Sequence, residues 1–187
     1  TFKDKTVVIS GSGNVAQYSC EKAIELGAKV VTLSDSSGFI YDKDGITKEK
    51  LQFVFYLKNE KKGRIKEYAD KFNCQFFEGK PWGTSCDIAL PCATQNELDE
   101  NDAKELIKNG CMCVSEGANM PCSPDAITAF QNAKILYAPG KASNAGGVAT
   151  SALEMSQNSL RMYWSSKEVD EKLKFIMSQI HDACVKY

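Results

Sequence analysis

The sequence predicts an α/β fold: a doubly wound, mostly parallel sheet with helices on both faces and a helical carboxyl-terminal tail. Three observations lead there. Short apolar runs alternate with helix-like segments from Thr6 to Tyr137, as crossover-connected strands buried on both faces do. A glycine loop separates the first strand from the first helix in VVISGSGNVAQYSC, residues 7–20. From about Gly147 the pattern is helical to the end, through GVATSALEMSQNSLRMYW and VDEKLKFIMSQIHDACV.

Each element has its own signal. Thr6–Ser10 is a short apolar run, and Asn14–Leu26 places Val15, Ala16, Ser19, Ala23 and Leu26 on one helical face. Gly27 ends that helix, and Ala28–Ser34 (AKVVTLS) is the second buried strand. SSGFIYDKDGIT alternates around Asp44-Gly45, which predicts a hairpin outside the main sheet. Polar helices follow at Thr47–Lys58 and Arg64–Lys71, separated by the basic turn KNEKKGR. Strands are expected at Asn73–Phe77, Asp87–Leu90, Met112–Ser115 and Ile135–Tyr137. Helices are expected at Asp99–Lys108, with Asp99 as cap, and at Ser123–Gln131, with Pro124 in the first position.

Size and composition bound the function. With 187 residues, 43% of them hydrophobic and 25% charged, the chain is long enough for a sizeable core and ordinary for a globular protein. A formal net charge of -1 gives no global attraction to nucleic acid or a lipid surface, and neither is expected as a partner. No apolar run is long enough to cross a membrane, and the start TFKDKTVVIS does not read as a secretory leader. That abrupt opening, without Met, suggests a piece of something longer. Of eight cysteines none forms a CxxC pair, and several lie in apolar runs such as CDIALPCA and GCMCVSEG. They are expected as reduced, buried thiols of a cytoplasmic protein. The single His, His181, is expected on a helix surface, so a zinc site lacks support and no metal is expected.

Gly11-Ser12-Gly13-Asn14-Val15-Ala16 fits GxGxxA between a strand and a helix. Gly11 allows the tight turn, Gly13 clears space for a pyrophosphate, and Ala16 permits close packing of helix and strand. The helix N-terminus offers free N–H groups to phosphate. Asp35 stands 22 residues after Gly13, at the end of the second strand. Together these predict a Rossmann-like dinucleotide-binding domain over residues 1–150, with a helical tail packing on it over 151–187. A glycine turn kept for packing, or a related domain binding S-adenosylmethionine, is the competing reading. The residues leave the cofactor open. Asp35 would favour NAD by accepting from a ribose 2′-OH, whereas Ser36 and the cations Lys58, Lys61, Lys62 and Arg64 would favour NADP if the excursion folds back over the adenosine end. Two further loops put an amide just past an apolar strand: Ala93-Thr94-Gln95-Asn96-Glu97 and Gly117-Ala118-Asn119-Met120-Pro121. APGKASNAGG, residues 138–147, makes a third.

SGSGNVAQ, SDSSG, ALPCATQNEL, EGANMP and PGKASNAGGVATSALEMSQNS together resemble the cofactor-binding domain of the hexameric glutamate dehydrogenases, with SDSSG and the basic turn closest to the NADP-dependent branch. The resemblance covers essentially the whole chain. It implies reversible oxidation of L-glutamate to 2-oxoglutarate and ammonium, with NADP as cofactor and NAD as the alternative. It implies that Ser12, Gly13, Asn14 and Val15 hold the pyrophosphate and that Asp35 and Ser36 sit at the adenosine ribose. Lys58 and Arg64, with Lys61 beside them, would meet the 2′-phosphate, and Ala93, Thr94 and Asn119 the nicotinamide half. Asn144, Val148 and Ser151 match substrate-side positions. In that family the lysines and the aspartate that perform catalysis lie in a preceding domain whose motifs do not occur here. The chain alone is therefore expected to bind cofactor without turning over substrate, as part of a homohexameric parent that leaves the isolated domain free to be monomeric. A stand-alone sensor of the dinucleotide pool and an NAD-dependent amino-acid dehydrogenase domain are the alternatives.

Overall fold

A computed structural model describes residues 1–186. One sheet of seven strands organises them: β1 (Thr6–Ile9), β2 (Lys29–Asp35), β3 (Gly38–Tyr41), β4 (Gln75–Phe77), β5 (Ile88–Leu90), β6 (Cys113–Ser115) and β7 (Leu136–Ala138). Their order across the sheet is β4-β3-β2-β1-β5-β6-β7. β1 pairs in parallel with β2 and β5, and β5, β6 and β7 continue in parallel. β3 alone runs the other way, antiparallel to both β2 and β4.

This corrects one sequence expectation. The segment around residues 36–47 is not a hairpin outside the sheet but a strand inserted within it. The connecting turn is Ser36-Ser37, since Asp35 pairs with Gly38. Asp44-Gly45 does form a turn, with Gly45 N–H donating to Asp42 O at 3.0 Å and Gly45 at φ 92°. That turn leads into a helix instead of a second strand. The same dipeptide serves both outcomes, because what pairs with β3 lies elsewhere in the chain.

The helices are α1 (Asn14–Glu25), α2 (Lys48–Phe55), α3 (Lys66–Phe72), α4 (Glu100–Lys108), α5 (Pro124–Asn132), α6 (Gly140–Ser143), α7 (Ala145–Leu160) and α8 (Ser166–Lys186). α2 continues into a π-helical turn, Tyr56–Glu60. Side chains cap four of them. Thr47 accepts from Lys50 N–H, Ser123 from Ala126 N–H ahead of Pro124, and Asp99 forms a reciprocal capping box with Asp102. Ahead of α8, Ser165 Oγ accepts from Glu168 N–H at 3.3 Å while Ser165 N–H donates to Glu168 Oε2 at 2.7 Å.

Alternate residues of each strand feed two cores, one on each face. Val7, Ile9, Val30, Leu33, Ile88 and Leu90 pack under α1, α2 and α3, with Ala16, Cys20, Val54 and Tyr68. Val8, Val31 and Ala89 face the other way, onto Trp82, Leu98, Ala103, Leu106, Ala126 and Phe130. A bulge in β2 lies between the partners of Val7 and Val8, which pair with Val30 and Thr32. It turns Thr32 toward the end of β1, where its hydroxyl accepts from Ile9 N–H and donates to Ile9 O, both at 3.0 Å.

All eight cysteines are free thiols, and five of them (Cys20, Cys86, Cys92, Cys111 and Cys122) are buried. Burial pushes the Cys20 and Cys92 thiols up to about 12, so neither is a nucleophile near neutrality. His181 lies exposed on α8 beside Asp182. Among the described residues no helix is long and apolar enough to cross a membrane, and no cluster of side chains could hold a metal ion.

Gly38 tests the inserted strand. Its φ is +142°, and a Cβ there would stand 2.2 Å from Phe77 O in the neighbouring strand. Gly38→Ala is expected to cost roughly 2–3 kcal/mol of stability in urea unfolding, by separating β3 from β4. A loss below about 0.5 kcal/mol would contradict the insertion of β3 between β2 and β4.

Candidate functional site

The carboxyl ends of β1, β2 and β5 meet around the glycine loop, and buried hydroxyls lock them together. Ser34 Oγ accepts from Gly11 N–H at 2.7 Å, and Ser34 N–H donates to Gly11 O at 3.0 Å. Ser10 Oγ accepts from Cys92 N–H at 2.9 Å. Gly11, at φ +82°, passes so close to β5's outgoing loop that a Cβ would lie 2.9 Å from Cys92 O. Any side chain there is both strained and blocked.

Gly13 differs. A Cβ added to it would meet nothing within 4 Å, so its missing side chain opens space into the groove. Gly13 is also the N-cap of α1 and supplies no side-chain acceptor, while the first turn carries no acidic residue. The leading N–H groups and the positive end of the helix dipole therefore face a groove of about 640 Å³. Ser12, Gly13, Asn14, Val15, Asp35, Ser36, Ala93 and Thr94 all line it, so eight of the expected contacts share one site. Gly79, Lys80 and Pro81 form a further wall.

At the end of β2 the basic turn folds over the groove's margin. Asp35 Oδ2 accepts from Lys58 Nζ at 3.2 Å and from Ile65 N–H at 2.8 Å. Oδ1 accepts from Ser37 N–H at 2.9 Å and from Ser37 Oγ at 2.5 Å. Burial works to raise the carboxyl's pKa, but the bonds from Ser37, Ile65 and Lys58 outweigh it and leave the group below the usual carboxylate range. Arg64 Nη1 donates to Ser36 Oγ at 2.6 Å. Lys61 turns away and pairs with Glu67.

The other rim loops are joined to each other. Asn96, in the left-handed region at φ 55°, donates its N–H to Met120 O at 2.9 Å, tying loop 93–97 to loop 117–121. Glu97 sits in the groove and accepts from Ala93 N–H at 2.9 Å, and burial pushes its pKa above the ordinary value. Asn119 is exposed and does not line the groove. Asn144 donates from Nδ2 to Ala118 O at 2.8 Å, which places it behind the same loop. Val148, 75% exposed, and Ser151 lie three residues apart along α7, away from the groove lining.

Several residues that shape this site carried little signal in the sequence. Gln17 is fully buried and donates to Ser12 O at 2.7 Å. Asn59 pairs with Gln17 across 3.2 Å. Lys80 borders the groove while bonding Asp102 at 2.7 Å. Gln17 does follow the glycine motif directly, and a polar residue on a helix face that otherwise packs inward was the available sign.

Fold and groove together define the class: a Rossmann-like domain whose crevice lies outside the carboxyl ends of its parallel strands. The family model for Glutamate/Leucine/Phenylalanine/Valine dehydrogenase matches residues 1–187, and the chain belongs to that family. A glutamate dehydrogenase of Bacteroides thetaiotaomicron is 64% identical over 187 residues, and an NADP-specific one of Haemophilus influenzae 60% identical over 188. An NAD-specific one of Bacteroides fragilis is 56% identical over 188 residues. Each match takes in 100% of this chain, which spans 42% of the length of these relatives. The crystal structure of Plasmodium falciparum glutamate dehydrogenase superposes with a TM-score of 0.91 at 54% identity, over 96% of this chain and 39% of that one.

Asp35 gives a pH signature. Its lowered pKa means that its ionised form stabilises the fold above the usual carboxylate range, and that this contribution fades as pH falls through its folded-state pKa. Asp35→Asn is expected to be less stable than the parent chain at neutral pH, with the gap narrowing in acid. Thermal melts of both proteins across pH check this, and a gap independent of pH would contradict it.

Proposed function

We propose that this chain is the cofactor-binding domain of an NADP-dependent glutamate dehydrogenase. The longer protein would catalyse L-glutamate + NADP + water to 2-oxoglutarate + ammonium + NADPH, reversibly. In this reading residues 1–150 bind the dinucleotide and the helical stretch 151–187 belongs to the same domain. The family membership and the names of similar proteins support the reaction, and the geometry at the end of β2 supports the cofactor.

The observation that carries the cofactor choice is the saturation of Asp35. A carboxylate has about four acceptor sites, and the four bonds from Ser37, Lys58 and Ile65 take them up. Such a group has little left to offer a ribose diol, and Lys58 offsets its charge. Beside it stand the Ser36 hydroxyl and the Arg64 guanidinium, donors suited to a 2′-phosphate. The relatives differ in the nicotinamide cofactor their names specify at similar identity, so local chemistry of this kind is what decides.

The other groove residues fit the same ligand. The uncapped start of α1 and the open space at Gly13 would accommodate a pyrophosphate on the N–H groups of Asn14 and Val15, beside Ser12. Ala93 and Thr94 would border the nicotinamide half, and Asn119 would reach it from the adjoining loop. When bound, the nicotinamide ring supplies the hydride acceptor or donor. On the substrate side, Val148 offers an aliphatic wall and Ser151 a hydroxyl for a carboxylate, with Asn144 near the reacting end. Hydride transfer also requires a second wall to hold the substrate carbon near contact. This chain is therefore proposed to bind cofactor without catalysing turnover alone. The parent is read as a homohexamer serving nitrogen assimilation, from the sequence resemblance, and as cytoplasmic from its reduced cysteines.

Arg64→Ala is expected to weaken NADPH binding about tenfold or more, the worth of a charge-assisted phosphate contact, and to leave NADH nearly unchanged. Lys58→Ala should weaken NADPH and also unsettle Asp35. Nicotinamide fluorescence titrations measure both. Equal effects of Arg64→Ala on NADPH and NADH would show that Arg64 does not read a 2′-phosphate.

A further inference from the structure

A buried amide is costly unless its donors and acceptor are used, and Gln17 is fully buried on α1. Its Nε2 donates to Ser12 O in the glycine loop at 2.7 Å and reaches Asn59 Oδ1 at 3.4 Å. Asn59 Nδ2 returns a bond to Gln17 Oε1 at 3.2 Å. Asn59 belongs to the π-helical turn Tyr56–Glu60 and follows Lys58 directly. One amide pair thus joins the loop at the start of α1 to the turn whose Lys58 and Arg64 bond Asp35 and Ser36.

Helix packing alone does not call for this pair. α1 and α2 already meet through Tyr18 edge-on to Phe55, with centroids 5.7 Å apart, and through Cys20 and Val54 in the core. An apolar contact at position 17 would pack as well without desolvating an amide. A π-helical turn is a local departure from regular winding that recurs at functional sites, and here it carries α2 into the basic turn, whose first residues Lys58, Asn59 and Glu60 belong to it.

We infer that the Gln17–Asn59 pair is a specificity-determining bridge, which fixes the position of the Lys58–Arg64 turn over the glycine loop so that a nicotinamide dinucleotide bearing a 2′-phosphate meets both at once. Asn59 is a positioning residue acting through Lys58. Gln17 acts on both halves, since it also holds Ser12 O. The inference rests on the reading of the site as one for NADP.

The test titrates the parent chain, Asn59→Ala, Lys58→Ala and the double variant with NADPH and NADH, following nicotinamide fluorescence, with a thermal melt of each protein. Asn59→Ser serves as a second variant should Asn59→Ala fold poorly. Asn59→Ala is expected to weaken NADPH about tenfold while NADH changes less than about twofold. In the Lys58→Ala background the same change is expected to add little, because the two act in series. Gln17→Leu should weaken both cofactors. An unchanged NADPH-to-NADH ratio in Asn59→Ala, equal loss of both cofactors, or full additivity with Lys58→Ala would overturn the bridge while leaving the NADP reading in place. A parent chain with no preference for NADPH would instead overturn the site reading, and the bridge with it.

Discussion

The carboxylate of Asp35 is the point on which the rest of the site depends. It ends β2, the strand beside the glycine loop, and it is the residue that a nicotinamide dinucleotide's ribose would approach. Left free, it would attract a ribose diol and repel a phosphate. Held by Ser37, Ile65 and Lys58, it becomes the anchor of the basic turn instead. One ionised group thereby holds both ends of the turn, Lys58 and Ile65, at the end of β2.

Topology explains how that turn reaches Asp35. In a plain crossover, β2 would feed a helix running back along the sheet, and the next strand would pair with β2. Here β3 makes the return journey itself, antiparallel to β2. α2 then climbs toward the carboxyl ends of the parallel strands, the 58–65 turn crosses above them, and α3 descends to β4. Inserting one strand adds an ascending helix, α2, ahead of the descending crossover helix, α3. The consequence is that a helix-to-helix turn stands at the groove's margin beside the usual strand-to-helix loops.

Much of this was legible in the residues. Gly11, Gly13, Ala16 and Asp35 each answer a local requirement at fixed spacing, and local requirements survive in sequence. Asp99 and Pro124 announce their helices for the same reason: the Asp99 cap forms and Pro124 takes the first helical position. The place of β3 is not legible, because strand pairing is set at long range. Asp44-Gly45 promises a turn and delivers one, but a turn does not state whether a strand or a helix comes next. The partnership of Gln17 and Asn59 is not legible, because Asn59 is an ordinary polar residue until the fold brings it to Gln17, 42 residues away in sequence. The saturation of Asp35 likewise depends on Ile65 and Lys58, which only the fold places beside it.

The central claim, that a saturated Asp35 and its attendant cations turn this groove toward the phosphorylated cofactor, is tested most directly on the unaltered chain. NADPH and NADH would be titrated side by side at low and moderate salt. The account predicts clearly tighter binding of NADPH, with an advantage that shrinks as salt screens the exposed charges. Equal or tighter binding of NADH would contradict it, and would mean that Asp35 gives up its partners to the ribose while the basic turn is a solvated face.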